Sequence, residues 1–480
     1  MNVDLDGRGP LYGQLARALK AAVTQGRIAP GSRLPATRTL AMALGVSRNT
    51  VLGAYELLCA EQVAVARQGS GTVVAARADS PVKDRAARSV IAQSQYAARL
   101  RRLGVNPLGA FRGGQFNLHF AEPMLNQRLS KSWRRRVAAA AVRPSYRYPS
   151  PVGYRPLRAA LAEYLERRRG IVCSPANIII VAGVQQALAI VARATLDVGD
   201  SVVLEDPHYP MANHTLLAHG ARISSVRTDV HGVVVSEIPR RHVRLAYLTP
   251  SHQFPSGSIL SLERRAELLR LSASNGMWIF EDDYDAEFHF SGTLPPPLRS
   301  LDTADRVIYA SSFSKTISPS LRLGYIVAPD GLLEDLVATK VLDDLGCPRI
   351  EQVALAGLLS SRQYEQHLHN AVSILRDRRR GVLDGLRRHA GELLEIDESP
   401  GGMHVVAWCR TLNYAQFEQF LALAAARGLK AHPIHPYYRE PPPRPGLIVG
   451  YAALPVDQCD LAMGILGQAL REIATPPPSR

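Results

Sequence analysis

The N-terminal stretch places apolar residues at a helical period. Tyr12, Leu15, Leu19 and Val23 follow i, i+3, i+4 spacing and predict one amphipathic helix, ended by Gly26 and Pro30-Gly31. Leu40, Ala41 and Leu44 predict the inward face of a second, shorter helix, and Gly45 supplies a turn. Ser47 is a natural N-cap for a third helix whose Val51, Tyr55 and Leu58 point inward. Two short helices across a glycine turn make a helix-turn-helix. The run Ala64-Val65-Ala66-Arg67-Gln68-Gly69-Ser70-Gly71-Thr72-Val73-Val74 then reads as a β-hairpin.

From Gln115 onward the pattern changes. Short β-branched runs (Ile178–Val181, Ser201–Leu204, Leu245–Leu248, Trp278–Phe280 and Val307–Tyr309) are separated mostly by helical stretches. That alternation predicts an α/β domain with a mostly parallel central sheet. The intervening Ala/Arg-rich segment ends in Gly113-Gly114 and reads as a linker, helical around Ala86–Leu103. The expected division is therefore a helix-turn-helix domain over 1–76, a linker over 77–114 and a large domain over 115–480, with a frayed Pro-rich tail at Thr475–Arg480.

Composition adjusts this picture in three ways. The chain has 480 residues, 46% of them hydrophobic, so large cores are affordable and wholesale disorder is excluded. The net charge of +15 fits either a generally basic surface or a polyanionic partner such as nucleic acid. Cys59, Cys173, Cys347, Cys409 and Cys459 are scattered, and no histidine pair has a matching carboxylate or cysteine set, which argues against a disulfide framework or a metal site. The N-terminus has no basic-then-apolar signal pattern, and no apolar stretch of about 18 residues occurs, so a cytoplasmic protein without a membrane role is expected.

The candidate chemistry of the first domain lies at the start of its third helix. In a helix-turn-helix that end enters the major groove. Arg48 can fork onto guanine, Asn49 can read adenine and Thr50 can hold phosphate, with Ser47 at the cap and Arg38 exposed beside them. Gly69 and Gly71 allow the hairpin backbone to approach a groove or phosphate closely. The same periodicity also fits a three-helix docking domain with solvated arginines.

In the large domain the richest segment is Ser311-Ser312-Phe313-Ser314-Lys315-Thr316, followed by Arg322 before a Gly324-Tyr325 strand start. A lysine held in an apolar pocket can lose its proton and form a Schiff base, while serines and an arginine hold phosphate. Glu281-Asp282-Asp283-Tyr284-Asp285 follows an apolar strand, where open α/β sheets face their ligand crevice. A carboxylate there can keep a pyridinium nitrogen protonated. Gly183-Val184-Gln185 opens a helix whose N–H groups suit phosphate, and Tyr209 follows another strand and can stack on a flat ring.

These ordered motifs carry a resemblance. Leu34–Ala41, Leu44–Val51 and Gly69–Thr72 resemble the GntR-type winged helix, and the whole chain from Pro10 to about Leu470 resembles the MocR/GabR-type regulators, whose large domain is of the fold type I aminotransferase kind, an α/β domain with a small C-terminal α/β subdomain. The resemblance implies a pyridoxal phosphate cofactor. Lys315 would form its Schiff base, Asp282 would pair with the pyridine nitrogen, and Tyr284 would bond the ring hydroxyl. Tyr209 would stack on the ring, and Val184, Gln185, Ser312, Ser314 and Arg322 would bind the phosphate. Tyr148 would reach the phosphate of a partner subunit in a homodimer, and Asp283 and Asp285 are expected to be structural or capping. On the DNA side it implies contacts from Arg38, Arg48, Thr50 and the wing around Gly71.

Four positions depart from the pattern. Gln62 stands where a turn glycine precedes the wing, predicting a small local stability cost. Phe254 stands where aminotransferases carry an Asn before the Pro of their turn, and Ile448 lies on the strand that carries their carboxylate-clamping arginine; Arg444 is the nearby candidate effector residue. Met211 replaces the arginine of the GABA-sensing member. The implied function is a transcription regulator that binds a double-stranded DNA operator and senses either pyridoxal phosphate itself or an amine or amino-acid effector. The alternative is an active aminotransferase with an accessory N-terminal domain; the departures weigh toward regulation, with at most residual transamination.

Overall fold

Leu15 and Leu19 of helix α1 (Leu11–Thr24), Leu40 of α2 (Thr37–Leu44) and Val51, Tyr55 and Leu58 of α3 (Arg48–Ala60) meet in one apolar centre. Each fully buried leucine contributes about 1.5–3 kcal/mol, enough to bind three short helices that would not persist alone. These positions follow from the computed structural model, which describes residues 6–7, 9–67, 71–75, 94–104, 115–120, 127–142, 148–290 and 294–474. One expected member of the inward face is displaced: Tyr12 is 46% exposed, because α1 turns Gln14, Ala16 and Ala22 inward instead. Gly45 ends α2 in the left-handed region at φ 65°, and Ser47 caps α3 by accepting from Thr50 N at 3.1 Å. The Tyr55 hydroxyl donates to Pro35 O at 2.8 Å, which ties the chain before α2 to α3.

Strands β1 (Ala64–Arg67) and β2 (Gly71–Val74) pair antiparallel as the wing. The segment before α2 lies along β2: Gly31 N donates to Val74 O and Leu34 N to Thr72 O. Gly69, the Gly113-Gly114 end of the linker and the Thr475–Arg480 tail lie outside the described residues.

Residues 1–93 and 94–480 form separate compact units. Within the expected linker, Gln95–Leu103 is a helix that belongs to the second unit. Its Arg99 Nε donates to Ala218 O at 2.7 Å, docking it on the helix Pro210–His219.

After the helix Gln95–Leu103, the second unit continues with the short strand β3 (Phe116–Asn117). It is built on an eight-stranded sheet of β4 (Ile178–Val181), β5 (Ser201–Asp206), β6 (Arg222–Asp229), β7 (Gly232–Val233), β8 (Val243–Leu248), β9 (Trp278–Asp282), β10 (Val307–Ser312) and β11 (Gly324–Val327). The spatial order is β4-β11-β10-β9-β8-β5-β6-β7. The β10-β9-β8-β5-β6 run is parallel, β11 is antiparallel to both neighbours, and β7 is antiparallel to β6. The five predicted apolar runs are all strands of this sheet. The runs are apolar on both faces because helices cover both faces.

A second, four-stranded antiparallel sheet follows, with β12 (Leu394–Asp397), β13 (His404–Cys409), β15 (His432–Pro433) and β16 (Gly446–Gly450) in the order β12-β13-β16-β15. The remaining strand, β14 (Leu429–Lys430), pairs in parallel with β3. At Gly450 the segment after β3 crosses β16: Gly450 N donates to Leu118 O at 2.9 Å, and a Cβ there would sit 2.6 Å from His119 backbone. That close crossing sets Phe120 over the crevice at the strand ends.

Candidate functional site

In the first unit Arg38, Ser47, Arg48 and Asn49 are exposed and Thr50 is half-buried. Ser47 Oγ lies 2.8 Å from Thr50 Oγ1, so the two hydroxyls cap each other and Arg48 and Asn49 project from a fixed helix end. Gly71 has φ 79°, and a Cβ on it would lie 3.1 Å from Arg33 Nε. The fold thus adds an exposed arginine to the wing that periodicity did not single out, because the contact depends on the strand-like pairing of the segment before α2.

The second site gathers six separate segments at the ends of the parallel strands. Asp282 ends β9 and is buried, with Oδ2 accepting from Tyr247 OH at 2.5 Å. Its Oδ1 is equally buried and has no protein partner. Burial first, and then the neighbouring Asp283, Asp285 and Glu205 carboxylates, push Asp282 up to about 7, although the Tyr247 hydrogen bond opposes this. Tyr247 was not singled out from sequence. The signal was available in the parallel register: Tyr247 lies opposite Phe280, two residues from Asp282 on the same face of β9.

Lys315 sits in the turn after β10, and burial lowers its amine to about 8 against the opposing pull of Asp285 and Asp282. The phosphate candidates converge from two sides. Val184 and Gln185 open the helix Val184–Thr195, whose first N–H groups have no partner within the helix. Its cap Gly183 has φ 110°, and a Cβ on it would meet the Arg322 guanidinium at 3.4 Å. Gly324 backs this crossing, since a Cβ there would lie 2.9 Å from Gly183 Cα. Ser312 Oγ accepts from Ser314 N at 3.3 Å in the turn that carries Lys315.

Tyr209 caps the helix Pro210–His219, and its hydroxyl is raised to about 12, by burial first and then by Asp282, with Arg322 opposing. Tyr284 OH pairs with His252 Nδ1 at 2.9 Å, and His252 Nε2 pairs with Ser399 Oγ at 2.8 Å. His252 also stands 3.0 Å from Asp285. This histidine joins the strand-end tyrosine to the segment after β12, a role visible only once the two sheets are placed together. Of the two carboxylates expected to be structural, Asp283 fits, accepting from Arg169 and Tyr309 at 2.5 Å each. Asp285 stands 3.0 Å from His252 and also opposes the lowering of the Lys315 amine.

Two residues stand apart, and a third packs behind Phe120. Tyr148 is 89% exposed. Arg444 is paired with Glu395 at 2.6 Å and lies over the Trp408 ring, on the small sheet. Ile448 is fully buried and packs with Val406 and Ile434 against Phe120 and Tyr437. Among the described residues no His/Cys/Asp/Glu group could hold a metal ion, and no helix is long and apolar enough to cross a membrane.

A flat phosphorylated pyridine aldehyde fits this donor set. Asp282 Oδ1 is a buried acceptor without a protein partner, Gly183, Gly324 and Arg322 form a cradle that a side chain would fill, and Lys315 supplies a half-buried amine whose affinity for protons is lowered.

Comparison with known proteins agrees. Residues 115–438 match the family Aminotransferase class I and II, and residues 11–74 match Bacterial regulatory proteins, gntR family. The chain is 34% identical over 457 residues to the probable rhizopine catabolism regulatory protein MocR of Rhizobium meliloti, covering 94% of this chain and 92% of that one. It is 30% identical over 449 residues to the HTH-type pyridoxine biosynthesis transcriptional regulator PdxR of Corynebacterium glutamicum, covering 92% and 91%. The structure of the α-aminoadipate aminotransferase LysN from Thermus thermophilus superposes with a TM-score of 0.70 at 26% identity, over 79% of this chain and 97% of that one. The aminotransferase class I and II fold implies pyridoxal phosphate binding, and the gntR-type domain implies DNA binding. The chain belongs to the MocR-type transcription regulators, in which a GntR-type helix-turn-helix domain is joined to an aminotransferase-like domain.

Proposed function

We propose that this regulator holds pyridoxal phosphate on Lys315 and uses the loaded large domain to set operator affinity. The observation that carries the reading is Asp282: a buried carboxylate held by Tyr247 through one oxygen, its other oxygen unpartnered, close enough to Lys315 to act on its charge. When bound, the cofactor supplies an aldehyde that reacts with amines and an aromatic ring that draws electrons. The chain's own residues do the rest. Asp282 holds the ring nitrogen's proton, and Tyr284, oriented by His252, hydrogen-bonds the ring hydroxyl. Tyr209 stacks on the ring, while Val184, Gln185, Ser312, Ser314 and Arg322 bind the phosphate.

The DNA-reading end is Ser47, Arg48, Asn49 and Thr50, supported by Arg38 and by the wing at Gly69 and Gly71, in a domain spanning 1–76 ahead of the linker 77–114. Two half-sites follow from a homodimer in which the exposed Tyr148 reaches the partner's phosphate. The protein works on chromosomal DNA in the cytoplasm, and its signal is the cofactor or an amine or amino acid. Such a ligand moves the protein only by binding one conformation better than another.

The test is to load the full chain with pyridoxal phosphate and follow its visible absorbance band together with binding to DNA upstream of neighbouring genes. The reading expects a yellow protein whose operator affinity differs between loaded and unloaded forms. Turnover of amino acids at ordinary enzyme rates without operator binding would replace it with an aminotransferase.

A further inference from the structure

We propose that the crevice over Lys315 takes a primary amine that carries no carboxylate and whose body is apolar, either hydrocarbon or aromatic. This rests on the reading of Lys315 as the cofactor lysine and names the effector class for that site.

The first support is the wall of the crevice. Phe254 is buried among aromatic rings, with centroids 4.8 Å from Phe120, 5.3 Å from Tyr437, 5.8 Å from Tyr209 and 5.9 Å from His404. Phe120 in turn lies 5.8 Å from Lys315 Nζ, so this aromatic group borders the reactive amine. Ile448 closes the same wall from β16 and is fully buried against Phe120 and Tyr437. Such faces suit an apolar body, and they attract an ammonium through the ring quadrupole.

The second support is the charge around the site. The groups that act on Lys315 include the carboxylates of Asp285 and Asp282. Among the described residues, the arginines named around the site are already engaged, so a carboxylate on the effector would have to take a cation from another partner. Arg444 is committed to Glu395 on the small sheet, Arg169 to Asp283, and Arg322 lies against Gly183 in the phosphate cradle. Burial holds His404 and His119 neutral near pH 7, lowering them to about 3 and about 4. Lys430 acts on His119 and His432. A buried carboxylate left unpaired is strongly disfavoured, whereas an amine of the same body leaves no such group behind.

The experiment uses matched pairs that differ only by the carboxylate: tryptamine and tryptophan, phenethylamine and phenylalanine, 3-methylbutylamine and leucine. Each is titrated by calorimetry into the full-length, cofactor-loaded protein, and operator affinity is measured at saturation. The expected result is at least one pair in which the amine binds tenfold or more tightly than its amino acid and changes operator affinity. Ile448→Arg is expected to narrow or reverse that ratio. Because Ile448 is buried and the variant can fail to fold, the wild-type ratio decides on its own. Amino acids binding as tightly as their amines, or neither member of any pair binding, overturns the inference. Failure of the underlying reading looks different, since the protein would then show no cofactor absorbance or no DNA binding before any amine is added.

Discussion

The two functional regions of this chain solve opposite problems. At the start of α3 Arg48 and Asn49 are exposed, and beside them Ser47 and Thr50 cap the helix through their hydroxyls. At Lys315 the working groups are buried or half-buried, displaced from their ordinary protonation and wired to one another. A polyanion many times longer than the domain needs a presented edge, because phosphate and base contacts form at a surface. A small aldehyde needs an enclosed set of donors whose desolvation is met by the ligand itself. The comparison teaches that substitutions on the DNA edge should tune affinity, whereas substitutions in the pocket should abolish a state.

The largest expected effects therefore lie in the pocket. Lys315→Ala removes the covalent cofactor band entirely, and an unchanged spectrum would mean another amine holds the aldehyde. Asp282→Ala removes the partner of a buried cation and is expected to weaken cofactor binding by about 3–5 kcal/mol. Equilibrium dialysis of cofactor against the variant checks this, and a loss within a factor of three would remove Asp282 from the ring nitrogen.

Next comes a pH effect that separates a buried site from an exposed one. In the cofactor-free chain Asp282, Glu205 and Glu281 are all raised to about 7, by burial first. The folded state thus holds protons that the unfolded chain releases near pH 4. Stability is greatest below that range and falls as pH rises toward 7, by up to about 1.4 kcal/mol per unit for each group. Denaturation at pH 5, 6 and 7 should show the decline, and Asp282→Asn should make it shallower without removing it. Bound cofactor should do the same, because a pyridinium favours the charged carboxylate. A slope unchanged by either would show that Asp282 is not the titrating group.

On the DNA edge the effect is smaller. Arg48→Ala is expected to cost about 1–3 kcal/mol of specific over non-specific affinity. Measured across salt concentrations, binding should remain steeply salt-dependent because other phosphate contacts persist. Operator preference that survives intact would assign base reading elsewhere, with Arg33 beside Gly71 the next arginine to test.

The same contrast explains what was legible in the sequence. The helix-turn-helix is contiguous, so the Leu40 and Val51–Leu58 periodicities and the Ser47 cap showed themselves in order. Tyr12 was misplaced inward because one residue at the edge of a helical stripe rotates out with little change in period. The strands of the large sheet were legible for a different reason: helices on both faces leave them apolar throughout. The pocket was legible only as separate motifs. Tyr247, His252 and Phe120 are ordinary residues in their own segments, and they acquire roles through the β8–β9 register, the meeting of the two sheets and the crossing at Gly450. Arg444 shows the converse, since proximity in sequence to β16 did not bring it to Lys315 and Glu395 holds it on the small sheet.

The smallest effect tests whether the first unit carries local strain of its own. Gln62 ends α3 in the left-handed region at φ 59°, with Val63 N donating to Leu58 O and Gln62 N to Cys59 O to close the helix. The conformation is needed to start the wing, and a side chain there is disfavoured by about 1–2 kcal/mol. Glycine relieves that strain but gives the unfolded chain more freedom, which returns about 0.4–1 kcal/mol. Gln62 is exposed, so little packing is lost on substitution. Gln62→Gly should therefore stabilise the unit by about 0.5–1 kcal/mol, the difference of the two effects. Hydrogen exchange of the Val51–Leu58 amides in the full chain isolates this unit from the rest, and operator affinity should stay unchanged because no reading residue moves. Faster exchange in the variant would mean that the Gln62 side chain makes a stabilising contact that outweighs its backbone strain.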